Sequence, residues 1–202
     1  MMKWRFIKLG SSVALVFLLI GCVQSEYTRL VNQELARGVR YDSVLLGIRF
    51  GDTQQVFRDK CFALNRQHLA IEGDSFWVRY LFPDSSKDNS PKMKLLFLPT
   101  FDEKNTVAGL DLKFSYAGWA PWNAELQSGH LEEKIKPLLM KWYGGNEFVL
   151  AHVGGKDIPV KVDGNRRIMI YNAPPEHVVV RVQDILHPMF RHNKDKNVSS
   201  PQ

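Results

Sequence analysis

Cysteine is nearly absent from this chain: 202 residues contain two, Cys22 and Cys61. A small domain stapled by several disulfides is excluded, so packing must hold the fold. Apolar runs long enough to cross a bilayer are also missing. The longest, Val13 to Ile20, is far short of the roughly 20 residues that a spanning helix needs, and even Leu9 to Val23 includes Gly10, Ser11 and Ser12. Metal spacing is lacking among the six histidines, His68, His130, His152, His177, His187 and His192. The stretch from His130 to Lys134 begins like a zinc helix motif, but Lys134 stands where a second histidine is required, so it reads as a solvated first helical turn with favourable acids. Gly154-Gly155-Lys156 has neither the upstream glycine nor the following Ser/Thr of a phosphate loop. No Gly-x-Ser-x-Gly occurs, and Asp102-Glu103 has no partner that the sequence identifies. These gaps point to a binding protein rather than an enzyme, with no metal and no cofactor.

What is present begins with an address. Lys3, Arg5 and Lys8 precede the apolar run, which closes on Leu19-Ile20-Gly21-Cys22. This layout reads as a secretory leader over residues 1–21. The small residue followed by cysteine resembles the lipobox of bacterial lipoproteins. That resemblance implies cleavage after Gly21, a diacylglyceryl group on the Cys22 thiol and an acylated new amino terminus. Several acyl chains on one residue, at about 0.8 kcal/mol per buried methylene, make a lasting anchor. The residue after the cysteine is Val23 rather than the aspartate associated with inner-membrane retention, which points by family analogy to the outer membrane of a bacterial envelope.

Losing the 21-residue leader leaves 181 residues, enough for one large domain or two small ones. The leader carries three bases and no acid, so the formal charge falls from +6 to +3. No stretch interleaves arginines with aromatics, and nucleic acid is not an expected partner. The expected partners are the membrane, through the lipid, and a protein of the envelope.

Residues 22–40 are polar and mixed, and are expected to form a tether with some helical character. Residues 41–120 and 121–186 then read as two helix-plus-strand halves. In the first, Asp52 and Gln55 make a capping-box pattern before a helix from Thr53 to Leu64 that places Val56, Phe57, Cys61 and Leu64 on one apolar arc. Cys61 on such a face behaves as a small hydrophobe rather than a nucleophile. Strands are expected over Ser75 to Phe82, Lys92 to Leu98 and Val107 to Tyr116. The last puts Leu110, Leu112, Phe114 and Tyr116 on one side and Asp111, Lys113 and Ser115 on the other. In the second half a helix from Gly129 to Tyr143 contains Pro137, which predicts a kink or a late start. Strands follow over Glu147–Val153, Ile158–Val162, Arg166–Tyr171 and His177–Asp184, with Asp163-Gly164 as a hairpin turn. Residues 187–202 are expected to be a flexible tail. The fold class is α+β, two helix-plus-antiparallel-sheet halves that can share one continuous sheet.

Gly51-Asp52-Thr53-Gln54-Gln55-Val56, ahead of a helix and strands, resembles the small outer-membrane assembly lipoproteins of the SmpA/OmlA type. The likeness covers about Leu46 to Tyr116. This chain is longer, places Gln-Val one position earlier, and has Leu64-Asn65 where a Leu-Gly is common. Tandem halves of this shape also resemble the secreted inhibitors of β-lactamase. Both resemblances imply a non-enzymatic protein-binding or assembly accessory. The alternatives are a lipoprotein that binds glycans or small molecules, and a hydrolase whose site is assembled from distant residues. Tyr116, Trp119 and Trp122, with Pro121, are the candidate binding residues: on a stiff loop they would stack on a ligand or anchor a partner, or else close the end of the sheet.

Overall fold

The computed structural model describes residues 25–73, 75–82 and 91–191. The leader, Gly21, the candidate lipid-bearing Cys22 and the tail from residue 192 lie outside the described residues. Among the described residues no helix is long and apolar enough to cross a membrane.

The segment expected as a tether is instead a docked helix, α1 (Glu26–Ala36). Ser25 caps it by accepting from the Thr28 amide at 3.2 Å, and Glu26 suits the positive end of the helix dipole. Its apolar stripe is thin. Tyr27 and Val31 are buried, and Leu30 and Leu35 pack partly. A hairpin of β1 (Ser43–Leu45) and β2 (Ile48–Arg49) leads into α2 (Gln54–Arg66). The cap of α2 is Thr53, whose hydroxyl accepts from the Val56 amide; of Asp52 and Thr53, the two residues that the sequence offers as a cap, it is the second. The Asp52 carboxylate is occupied by the Arg49 amide and the Lys60 ammonium. Phe57 and Leu64 face the core as expected, with Phe57 edge-on to Phe97 and Phe101 at 6.4 and 5.8 Å. Val56, placed on the same arc in the sequence, is exposed.

Four strands follow α2: β3 (Ala70–Glu72), β4 (Val78–Tyr80), β5 (Met93–Phe101) and β6 (Val107–Tyr116). The strand expected over Ser75 to Phe82 shrinks to three residues, because Ser75 takes a left-handed conformation (φ +59°) and the Gly73 amide closes a turn onto the Trp77 carbonyl. The third helix, α3 (Ser128–Tyr143), neither starts late nor stops at Pro137. The carbonyl that loses its donor there belongs to Glu133, and both residues are exposed, so the carbonyl is open to solvent. Leu131, Ile135 and Leu139 repeat every four residues and are fully buried, each worth about 1.5–3 kcal/mol. Then come β7 (Val149–Val153), β8 (Lys156–Asp163), β9 (Arg166–Ala173), β10 (His177–Asp184) and the short α4 (Pro188–Arg191).

β3 to β10 form one eight-stranded antiparallel sheet in the order β3-β4-β5-β6-β10-β9-β8-β7. The fold is α+β. Each half is a helix followed by a four-strand meander, and the last strands of the two halves, β6 and β10, pair antiparallel at the centre. The halves therefore do share a sheet. α2 and α3 pack on one face, over Leu95, Phe97, Leu112, Phe114, Ile170 and Val180. α1 packs on the opposite face and covers only the second half, over Ile158, Val160, Val162 and Met169.

Two turns differ from expectation for a physical reason. The β8–β9 hairpin is one residue out of place: Asp163 pairs with Arg166 inside the ladder, and the two-residue loop is Gly164-Asn165. Gly164 has φ +53°, and a Cβ there would overlap the Val39 carbonyl. A side chain at this position would push the connection after α1 off the turn. The expected tail is also packed at its start. Phe190 of α4 is buried against Gly109 of β6, where a Cβ would lie 3.3 Å from its ring.

Candidate docking surface

The three aromatic candidates separate. Tyr116 is 1% exposed, with the Lys134 ammonium 5.5 Å over its ring, and Trp119 packs partly against the core. Tyr116 belongs to the end of the sheet, so the expectation that it meets a ligand is corrected. Trp122 is 86% exposed. Its loop is clamped by Gln127, whose amide nitrogen donates to the Asn123 and Ala120 carbonyls at 2.8 and 3.2 Å. One aromatic on a stiff loop remains from the predicted cluster.

Cys61, the His187–Asp102 pair and Arg166 each have a structural setting. Burial pushes the Cys61 thiol up to about 11, which suppresses the thiolate at neutral pH. His187 and Asp102 resemble a base and its orienting acid, with Nε2 3.1 Å from Oδ2. The Met189 amide, however, donates to Nδ1 at 3.2 Å. Nδ1 is therefore the acceptor, Nε2 carries the proton and donates to Asp102, and no ring nitrogen is free to take a proton from a substrate. The pair is a clasp that ties α4 to the β5–β6 turn. Hydrogen bonds from Thr106, opposed in part by burial and joined by those from His187 and Lys104, hold the Asp102 carboxyl down at about 2. Its folded value lies below its ordinary one of 3.8, so its contribution to stability is complete above that value and is lost as pH falls through about 2. Acid titration of stability should therefore fall less steeply in Asp102→Asn than in the parent. Parallel curves between pH 4 and 2 would contradict the clasp.

A cavity of about 240 Å³ opens beside Val44, Leu46, Tyr80, Trp142 and Arg166. The Arg166 guanidinium is 4.7 Å from the Tyr143 ring and 5.2 Å from the Tyr41 ring. It donates to the Ser43 carbonyl at 3.0 Å and to Asp163 at 3.3 Å. Its Nε has no partner but is sealed from solvent. The terminal nitrogens of the guanidinium are spent on the fold. Among the described residues no group of three or more His, Cys, Asp or Glu side chains comes together.

The remaining site is a surface. Where α1 covers the second half, the same face of the first half carries, among the described residues, only the short α4, whose Phe190 lies over Gly109 at one end of β6. Strand registers set Ile71, Arg79, Leu96, Lys113 and Val179 in one row across it, with Leu98, Asp111 and Arg181 in the next. Ile71 is 37% exposed, Lys94 and Arg181 are exposed, and the others are half-buried. Arg181 lies 3.7 Å from Asp111 and 5.0 Å over the Tyr171 ring. Burial raises the Asp111 carboxyl despite the pull of Arg181. Lys94 and Lys113 have no carboxylate partner among the described residues, and the Arg79 Nε is unpaired. At its β3 edge the surface runs into a recess of about 430 Å³ between α2 and the β3–β4 turn, bordered by Cys61, Phe62, Trp77 and Phe76. Phe62 and Phe76 are 62% and 89% exposed.

No family model, curated protein or solved structure matches this chain. The surface must be read from its own chemistry. It is a half-apolar field in which cations alternate with apolar side chains, next to exposed phenylalanines, and it is shallow rather than a deep pocket. Sequence reasoning recognised Lys113 and Asp111 as the outer side of a strand. It missed the surface, because Arg79, Leu96 and Lys113 come together only through the ladder.

Proposed function

We propose that this chain is a lipid-anchored protein of the bacterial envelope, held by Cys22 at the outer membrane, whose folded part binds another envelope protein without catalysing a reaction. The observation that carries the reading is the face of β3–β5 that α1 leaves open, with Leu96, Leu98 and Ile71 among cations that have no carboxylate partner among the described residues. The lipobox resemblance supports the anchor. The resemblance to assembly lipoproteins and to β-lactamase inhibitors supports protein binding as the task. α1 begins four residues after Cys22, so under this reading the membrane lies close to the docked helix and the folded part works near the bilayer surface.

The test pairs the full-length protein with Cys22→Ala in detergent-solubilised membranes, with affinity recovery and intact mass for each. Lipid should shift the mass of the parent by several hundred daltons, roughly the mass of two or three acyl chains, and a partner should be recovered that is reduced in the variant. Leu96→Asp, with anchor intact, should lose the partner while keeping the lipid. An unlipidated parent would end the localisation proposal, and a partner indifferent to Leu96→Asp would move the contact to another face.

A further inference from the structure

We propose that the uncovered face of β4 and β5 is a seat for an amphipathic α-helix of a partner protein, acidic along its flank, lying there as α1 lies on the other half. The inference rests on the protein-binding reading above and specifies the segment that binds. Its basis is an internal two-fold relation. Setting Met93 of β5 on Arg166 of β9 and carrying the registers across places Leu96 on Met169, Lys94 on Arg167, Trp77 on Ile158 and Arg79 on Val160. Every residue keeps its face in this match.

In the second half that seat is filled. Tyr27 and Val31 of α1 pack with Ile158, Val160 and Met169. Arg167 donates to the Tyr27 hydroxyl at 3.0 Å, and Glu34 is buried where its carboxylate accepts from the Gly164 amide at 2.9 Å. The seat therefore already accepts a three-turn helix with apolar residues four apart and one acid. In the first half Trp77 and Leu96 supply the apolar floor and Lys94 stands in the place of Arg167. The difference is one cation on the strand floor: Val160 is replaced by Arg79, while Lys94 and Lys113 stand in the places of Arg167 and Arg181. Among the described residues the one carboxylate of this face, Asp111, is engaged by Arg181. A helix with two or more acids on its flank fits such a field, and a basic or uncharged one is disfavoured.

The experiment uses the full chain in its source cell, with a photo-crosslinking amino acid in place of Leu96, of Lys94, or of Leu150 on the opposite face at the far edge of the sheet. Mass spectrometry then identifies the joined segment. The expected result is a crosslink from Leu96 or Lys94, and not from Leu150, to a segment with apolar residues at helical spacing and at least two flanking acids. Introducing Arg79→Glu with Lys113→Glu should lower its yield at least fivefold. A crosslink to a basic or strand-patterned segment, a yield indifferent to the charge reversal, or a crosslink from Leu150 alone overturns the proposal. Recovery of a partner by affinity with no crosslink at Leu96 or Lys94 removes the helix seat alone. Failure of both removes the protein-binding reading as well.

Discussion

Asp163→Ala should destabilise the folded chain by about 3–5 kcal/mol at neutral pH, the range seen when one partner of a buried ion pair is deleted. Asp163 is 3% exposed and lies between Lys161, 0% exposed, and Arg166, 4% exposed. Its Oδ1 accepts from the Lys161 ammonium at 3.0 Å and from the Asn146 amide at 2.9 Å, and its Oδ2 from Arg166 at 3.3 Å. The Lys161 ammonium also donates to the Asn146 carbonyl. Without the carboxylate two cations share a dry site, and the turn after α3 loses its tie to β8. Burial already lowers the Lys161 pKa, with Asp163 opposing that shift. Removing Asp163 lowers it further. Between that folded value and the ordinary one of 10.5, the unfolded chain binds the extra proton, so the stability of the variant must rise with pH. Urea unfolding at pH 7 and pH 9 checks this: the loss should be smaller at pH 9. Adding Lys161→Met should restore more than half of it, since an apolar side chain removes the uncompensated charge. A loss under 1 kcal/mol, or one unchanged by pH, would mean that water reaches the cluster.

The same residues explain where the sequence was legible. β6 could be read because each alternate residue, Leu110, Leu112, Phe114 and Tyr116, meets the same apolar layer. Period and environment agree there. At the β8–β9 turn the local signal lost to a tertiary demand. Asp163-Gly164 is a good turn pair by conformation, but the carboxylate is needed inside the ladder by Lys161, Arg166 and Asn146, and the loop moves on by one residue. Nothing local in the sequence shows that β1, the end of α3 and the β8–β9 turn converge on Lys161 and Arg166. α1 reads as a tether in sequence because its stripe is narrow and one buried position is Glu34, whose partner is the Gly164 amide, 130 residues away. Burial would raise that carboxyl, but the Gly164 amide, Asn146 and Arg37 outweigh it and hold it below the ordinary range. The docking surface fails the same test. Arg79, Leu96 and Lys113 are each unremarkable in sequence, and their meaning comes from the neighbours that pairing supplies.

Val31→Asp should detach α1 without unfolding the sheet. Val31 is 6% exposed and packs in the apolar cluster of Ile158, Val160 and Met169, so a carboxylate there disfavours the bound position by about 2–4 kcal/mol. The core under α2 and α3 is a separate cluster on the other face, and its strands need not follow. Hydrogen exchange should quicken at least tenfold across Glu26–Ala36 while β6 and β10 keep their protection. If β6 and β10 lose protection together with α1, the helix is an integral part of one cooperative unit. Detachment also changes geometry. The 11 residues of α1 span roughly 16 Å as a helix and up to about 36 Å when extended. In a chain held by Cys22, releasing α1 would lift the folded part farther from the bilayer and at the same time bare the second seat, the one that Tyr27 and Val31 fill. A detached α1 should then let an acidic amphipathic helix bind on either half, and crosslinking from Met169 of the Val31→Asp variant, silent in the parent, would report it. Silence at Met169 in a variant whose α1 exchanges freely would mean that the added cation of the first half, Arg79, rather than the shape of the seat, decides what binds.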